Sequence, residues 1–312
     1  MNTENTTELN TVTTNSSTQE TTVTVPEYKT EEISHESTLY AEPIFHIGDF
    51  TVTNSLFTSW IVVFLLVIFS LVIKLKLNKI PKGIQNLFEI VIEGGLSLCD
   101  QVTNSRKITN KAFPIVMSVF LIVLLNNWIG ILPFGGFGLI EMGETGKMFI
   151  PLIRSGTADI NGTLPLAILS VLGANLFGIL SIGLWKTINK YVNLKALGGL
   201  FTKIRKDPTV LMTAPIMFAV GLIEFIGEFA KIASLSFRLF GNVFAGEVLL
   251  ASMGAILAYA LPTPFILLEV FVGMIQAFIF AILTLVYYTI ASLDHDEEEG
   301  HGDEEGKLKG AH

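Results

Sequence analysis

The sequence predicts an all-α, polytopic transmembrane protein. About five membrane-crossing helices are expected, with one amphipathic interfacial helix and a long, tilted C-terminal helical hairpin. Three observations predict this. Half of the 312 residues are hydrophobic and only 15% are charged, against about a quarter in a typical soluble domain. Uncharged runs at 51–73, 112–140, 160–185, 248–268 and 270–293 reach the roughly 20 residues that span a ~30 Å hydrocarbon layer. Between the third and fourth runs, ionisable residues recur at helical spacing inside apolar sequence. A soluble helical bundle would need polar surfaces that these runs do not provide.

The net charge of −8 belongs to the two ends. Eight acids lie in residues 1–43 and eight more in 294–312, whereas the body between them has 12 acids and 17 Lys or Arg. The domain plan is therefore an N-terminal tail (1–43), a transmembrane domain (44–293) and an acidic C-terminal tail (294–312). Both tails are too polar to bury a core and are expected to be disordered. No basic patch with interleaved aromatics points to nucleic acid. The single Cys99 excludes an internal disulfide and a cysteine-based metal cluster. His295, His301 and His312 lack metal-ligand spacing, so neither metal nor cofactor is expected. No secretory signal is visible, because the first 20 residues contain no Lys or Arg and no apolar core.

Ordered structure is expected from about Phe45, and the first span from about Leu56 to Ile73. Lys74, Lys76, Lys79 and Lys82 follow at once and mark the cytoplasmic side. Ile84, Leu87, Phe88, Val91, Ile92 and Leu96 then recur at helical spacing, with Glu89 and Glu93 on another face. That piece is too polar to span and reads as interfacial. The second span is expected from about Phe113 to Leu132, ending at Pro133 and a glycine-rich turn. A loop of mixed charge follows, with Glu141, Glu144, Lys147, Arg154 and Asp159. The third span, about Leu164 to Trp185, returns to a Lys- and Arg-rich stretch. Loops 74–111 and 186–206 hold seven and six basic residues, against two in the loop between them. The positive-inside rule therefore places the N-terminus outside.

After Pro208 a helix is predicted from about Met212 to Tyr259, ended by the Leu-Pro-Thr-Pro turn at 261–264. Met212 to Arg238 alone covers roughly 39 Å at 1.5 Å per residue. An upright helix would push Arg238 or its own start out of the bilayer, so strong tilt or a bend near Gly241 is expected. A second helix, about Pro264 to Ser292, returns beside it, with Glu269, Gly273, Gln276 and Phe280 on one face.

Residues 222–250 are the centre of the chain's chemistry. Positions 224, 228, 231, 235, 238 and 242 share one helical face, and all but Leu235 are polar: Glu224, Glu228, Lys231, Arg238 and Asn242. An ionisable residue in hydrocarbon costs several kcal/mol, roughly 2.5–3.5 on an insertion scale, so it faces protein or water. Ala230, Ala233, Ser234, Ser236, Gly241, Ala245 and Gly246 keep the segment slim enough for close approach. This stripe reads as an ion path rather than a polar seam that only glues helices. For Asn242 and Gln276 ordinary interhelical hydrogen bonding is the competing reading. For Glu228 and Lys231 it is mutual neutralisation at (i, i+3) spacing.

The run SLSFRLFGNVFAGE (234–247), followed by IQAFIFAILTLVYY (275–288), closely resembles subunit a of F-type ATP synthases. FHIGDFTVTNSLFTSW (45–60), IPKGIQNLFEIVIE (80–93), NNWIGILP (126–133) and TADINGTLPLAIL (157–169) extend the resemblance over nearly all of 45–292. The resemblance implies that Arg238 faces a rotating ring of c subunits, pairs transiently with their carboxylates and separates two access channels. It implies that Asn242 and Gln276 flank the arginine, bonding it or lining the channels. Glu247 matches the acid nine residues on, associated with the outer half-channel. Glu269 stands where some members carry His. Glu224 is similar to an acid of the inner channel; Glu228 and Asp159 are weaker matches, Asp159 near the outer mouth. The implied partners are the c-ring, peripheral-stalk b subunits, the remaining ATP synthase complex and membrane lipid. The long tails and complete basic inner loops point to a bacterial plasma membrane rather than a mitochondrion.

The resemblance thus implies a non-catalytic subunit that conducts protons or sodium ions. No GxxxxGK[ST] phosphate loop occurs in the chain. A secondary transporter, the alternative, would show an internal repeat and broken helices, and no repeat relates 45–190 to 208–292. An intramembrane metalloprotease would need a metal or nucleophile constellation, which the apolar body lacks. A purely structural assembly subunit would tolerate loss of Arg238.

Overall fold

The structure, a computed structural model, describes residues 40–75, 83–131, 138–143, 146–185, 187, 210–257 and 260–292. Residues 1–39 and 293–312, the basic stretch 188–209, all of 76–82 and the turn at Pro133 (132–137) fall outside the described residues, so the expectations for them stand as expectations.

The chain opens with a hairpin of β1 (Pro43–Ile47) and β2 (Phe50–Thr53), turning at Gly48 with φ +63° and pairing Ile47 with Phe50. Six long helices follow among the described residues. They are α1 (Asn54–Leu75), α2 (Ile84–Thr103), α3 (Arg106–Ile131), α4 (Ile160–Ile182), α5 (Val210–Ile256) and α6 (Pro262–Ser292). A second hairpin, β3 (Gly138–Gly143) with β4 (Gly146–Pro151), lies between α3 and α4. Neither hairpin is predicted from the sequence, because short two-stranded ribbons carry too little periodicity to stand out.

The protein is thus a mostly helical, polytopic membrane protein. Helices α1, α3, α4 and α6 are each long and apolar enough to cross a membrane. The fifth predicted crossing is α5, an unbroken helix of 47 residues, roughly 70 Å long at 1.5 Å per residue. Helical hydrogen bonding runs through Gly241 without interruption. Helix α3 begins at Arg106, about two turns before the expected Phe113, so Arg106, Lys107 and Lys111 lie on its first two turns and not in a loop. The extension is held where Thr109 N–H donates to the Ser105 carbonyl and the Thr103 and Thr109 hydroxyls meet at 2.7 Å. Pro114 is accommodated inside α3, and Ser118 Oγ bonds its carbonyl at 2.7 Å. Helix α6 starts at Pro262, inside the predicted turn, because proline is well suited to a first helical turn.

Helices α3, α4 and α6 form the packed centre; α5 leans chiefly on α4 and more lightly on α6. The inner face of α6 carries Gly273, Gln276, Ala277, Phe280, Ala281, Thr284, Leu285 and Tyr288, all buried at helical spacing. Lipid removes the hydrophobic drive between helices, so close packing must hold them. Gly178 of α4 is pressed to the Ala291 carbonyl of α6, and Gly173 to the Tyr288 hydroxyl. Much of α1 faces outward with apolar side chains such as Phe64, Val67 and Leu71. Helix α2 packs on α3 and α6. Its Leu87, Ile90 and Val91 stay exposed, as suits an amphipathic helix with an apolar face to cover.

Candidate functional site

The polar stripe of α5 does not occupy one environment. Leu235 and Leu239 are buried against α3, α4 and α6 neighbours such as Val119, Ala167 and Phe280. Ser236 beside them is buried and shares a 3.1 Å hydrogen bond with Thr163 of α4. Arg238 instead lies on the exposed side, with Ser234, Phe237, Gly241 and Ala245. Among the described residues its one side-chain bond is from Nη2 to Ser234 Oγ at 3.2 Å, one turn back on the same helix. Among the described residues no carboxylate pairs with it. Neither Asn242, half-buried, nor Gln276, buried, bonds Arg238 here, and the Gln276 Nε2 is buried without a partner. Of the two roles the resemblance implies for Asn242 and Gln276, direct bonding to the arginine is not made in the isolated chain.

Nearer the start of α5, Lys231 Nζ bonds Glu228 Oε1 at 2.8 Å. Asn175 of α4 donates to Glu228 Oε2 at 3.2 Å, and the Lys231 ammonium sits 5.3 Å from the Tyr287 ring centroid of α6. Glu228 is thus neutralised by its (i, i+3) neighbour and bonded to α4, as the structural reading of that pair requires. Glu224 is half-buried one turn earlier.

Glu247 follows Arg238 by nine residues, two and a half turns, and therefore points to roughly the opposite side of α5. There it meets a residue that sequence reasoning left in a loop. Arg154 donates from Nε and from Nη2 to the same Glu247 Oε2, each at 3.0 Å. Its Nη1 donates to the Tyr40 carbonyl at 2.9 Å. Glu269 of α6 and Glu42 stand within electrostatic reach of Glu247. Glu269 rests against Gly246, where a Cβ would collide with its carboxylate.

Arg154 is aimed by an unusual segment. Residues 154–159, Arg-Ser-Gly-Thr-Ala-Asp, are all buried although they form no helix or strand. A buried loop must find partners for its backbone and polar groups, and this one does. Arg154 N–H donates to Thr58 Oγ1 of α1; Ser155 Oγ donates to the Asn126 carbonyl; Thr157 Oγ1 donates to Asn127 Oδ1 at 2.6 Å. Gly156 leaves no room for a Cβ beside Ser59 and Asn126. The Asn-Asn-Trp of α3 also grips α6, with Asn127 Nδ2 on the Gly273 carbonyl and Trp128 Nε1 on that of Val270. One triplet therefore positions both the Arg154 loop and the stretch of α6 that carries Glu269. Asp159 ends the loop as the N-cap of α4, accepting from Asn161 N–H at 3.1 Å, and its other oxygen accepts from Ser55 Oγ of α1.

The signal for Arg154 in the sequence is faint: a lone cation five residues ahead of an Asp N-cap, with no periodicity to place it. The Tyr40 carbonyl leaves no signal at all. Among the described residues no group of three or more His, Cys, Asp and Glu is placed to hold a metal ion.

A family model described as ATP synthase A chain matches residues 56–289. Proteins named ATP synthase subunit a are similar over most of the chain. One from Moorella thermoacetica is 29% identical over 252 residues, 81% of this chain and 95% of its own length. One from Campylobacter jejuni strain 81-176 is 32% identical over 257 residues, 82% of this chain and 91% of its own. One from Syntrophobacter fumaroxidans is 32% identical over 249 residues, covering 80% and 87%.

Proposed function

Because the chain belongs to the ATP synthase subunit a family, and so is an ion-translocating stator subunit of an F-type ATP synthase, we propose a division of labour among its polar residues. Arg238 is the barrier between two half-channels and the transient partner of each c-subunit carboxylate. Glu247 and Glu269 serve the outer path, with Asn242 and Gln276 lining it beside the arginine. Glu224 serves the inner path, and Glu228, tied to Lys231, supports that side. Asp159 stands near the outer mouth as the cap that holds α4 in place. The subunit is non-catalytic by itself, ADP phosphorylation being left to other subunits. It works against the c-ring and the peripheral-stalk b subunits in a bacterial plasma membrane, N-terminus outside and C-terminus in the cytoplasm.

The isolation of Arg238 is the observation that carries this reading. Glu228, Lys231, Glu247 and Arg154 all find ion-pair partners within the chain. Among the described residues Arg238 finds only Ser234, on a face kept slim by Gly241 and Ala245. A guanidinium in an apolar span is costly without a counter-charge, so its partner must come from another chain that approaches closely. Arginine suits the task because it stays protonated on partial desolvation, whereas lysine readily loses its charge. A carboxylate passing this point is held in its ionised form, and beyond it must be neutralised before meeting lipid. That requirement couples ion entry and exit to movement of the ring.

The test is ATP-driven ion uptake in inverted membrane vesicles with Arg238→Ala at matched assembly. Uptake is abolished while ring and stator still co-purify. Normal uptake by the variant would make Arg238 a structural residue and end this reading.

A further inference from the structure

We infer that Arg154 is a positioning residue of the outer path, fixing the Glu247 carboxylate in place and binding the N-terminal segment at Tyr40 across the pair. The inference rests on the assignment of Glu247 to that path.

Four observations support it. The guanidinium is 8% exposed, and burying such a cation is tolerated only with full hydrogen bonding to an opposite charge. Its Nε and Nη2 converge on one carboxylate oxygen, leaving the other Glu247 oxygen for exchange with water or a neighbouring group. The loop that holds it is locked at every turn: Thr58, Ser59, Asn126 and Asn127 bond or abut residues 154–157. The position of the arginine is therefore set before any ion arrives, as a positioning group requires. Finally, Nη1 donates to the backbone carbonyl of Tyr40, so that segment is fastened over the same pair.

The acidic groups around the Arg154–Glu247 pair are Glu269 and Glu42; Arg154 is the cation among them that bonds Glu247. A carboxylate without its guanidinium would be free to rotate and would sit among two like charges. Its ability to take an ion from the outer side would change, while steps on the inner side would not.

Reconstituted complexes in liposomes, driven by acid–base jumps that set the two sides independently, test this. Arg154→Gln lowers the ATP synthesis rate about tenfold and moves its dependence on outer pH by about one unit, with the inner-pH dependence unmoved. Arg154→Lys restores the native outer-pH profile and part of the rate, because it keeps the charge and loses the fork. A native rate and profile for Arg154→Gln, or equal movement of both profiles, overturns the inference. Should Arg154→Gln not assemble, the Lys variant decides: a several-fold lower rate supports the fork, and a native rate refutes it. Glu247→Gln is run alongside. Native uptake by that variant removes Glu247 from the path, a failure of the functional assignment that is distinct from failure of the Arg154 result.

Discussion

The Glu269 carboxylate of α6 lies directly against the backbone of Gly246 in α5. Two acids of the proposed outer path, Glu247 and Glu269, are thereby brought to neighbouring positions on facing helices. A methyl group at Gly246 would occupy the space of the carboxylate. Gly246→Ala therefore displaces Glu269 and reduces ATP-driven uptake about tenfold or more, at normal levels of assembled complex. Gly241 has open space around its Cβ position in the isolated chain, so Gly241→Ala leaves the thermal stability of the purified subunit unchanged. Uptake and melting assays on the two variants separate these effects, and equal behaviour would refute the packing argument.

Asp159 separates capping from titration. Its Oδ1 accepts from Asn161 N–H, a bond that an asparagine Oδ1 can also accept, and its Oδ2 accepts from Ser55 Oγ, where an asparagine amide would instead donate to the hydroxyl. Asp159→Asn retains assembly and most transport, whereas Asp159→Ala costs about 1 kcal/mol of stability. Uptake lost in the Asn variant with native stability would show that Asp159 itself exchanges a proton.

The Glu228–Lys231 pair bridges α5 to α4 through Asn175. Removing one partner strands a half-buried charge, so Glu228→Gln and Lys231→Gln each destabilise the subunit more than both together. A double-mutant cycle on denaturation in detergent gives a coupling of about 0.5–1 kcal/mol, the size expected where one partner is a third exposed. Zero coupling would refute the pairing.

Cys99, the single cysteine, is buried in α2 among Ala112, Val116, Leu285 and Tyr288. Burial, and secondarily the nearby Asp100 charge, push its thiol above the ordinary value of 9.0. The reactive species is the thiolate, which forms only as pH rises through the thiol pKa, so at pH 7 its fraction is below about 1%. N-ethylmaleimide at pH 7 leaves the native subunit unmodified by intact mass and adds one equivalent in SDS. Labelling in native membranes within minutes would contradict the burial.

The spans themselves were legible in the chain because helix formation in lipid depends on local properties, namely length and apolar content. Helices α1, α4 and α6 begin and end close to where the spans were expected, and α3 ends there. The early start of α3 at Arg106 and the two hairpins were not legible, since they depend on hydroxyl and backbone bonds that leave no periodic trace.

Periodicity also determined that Glu224, Glu228, Lys231, Arg238 and Asn242 share a stripe on one helix, a local consequence of 3.6 residues per turn. What each member faces was decided only by the tertiary structure. Packing against α4 tied Glu228, already paired with Lys231 on its own helix, to Asn175, and left Arg238 outward with no counter-charge among the described residues. It also joined Glu247 to Arg154 across 93 positions of sequence. The physical reason is that burial and electrostatic partnership belong to pairs of elements. A helix's own repeat specifies a direction around its axis; only the neighbours that arrive there determine which charge is paired and which is left for another chain.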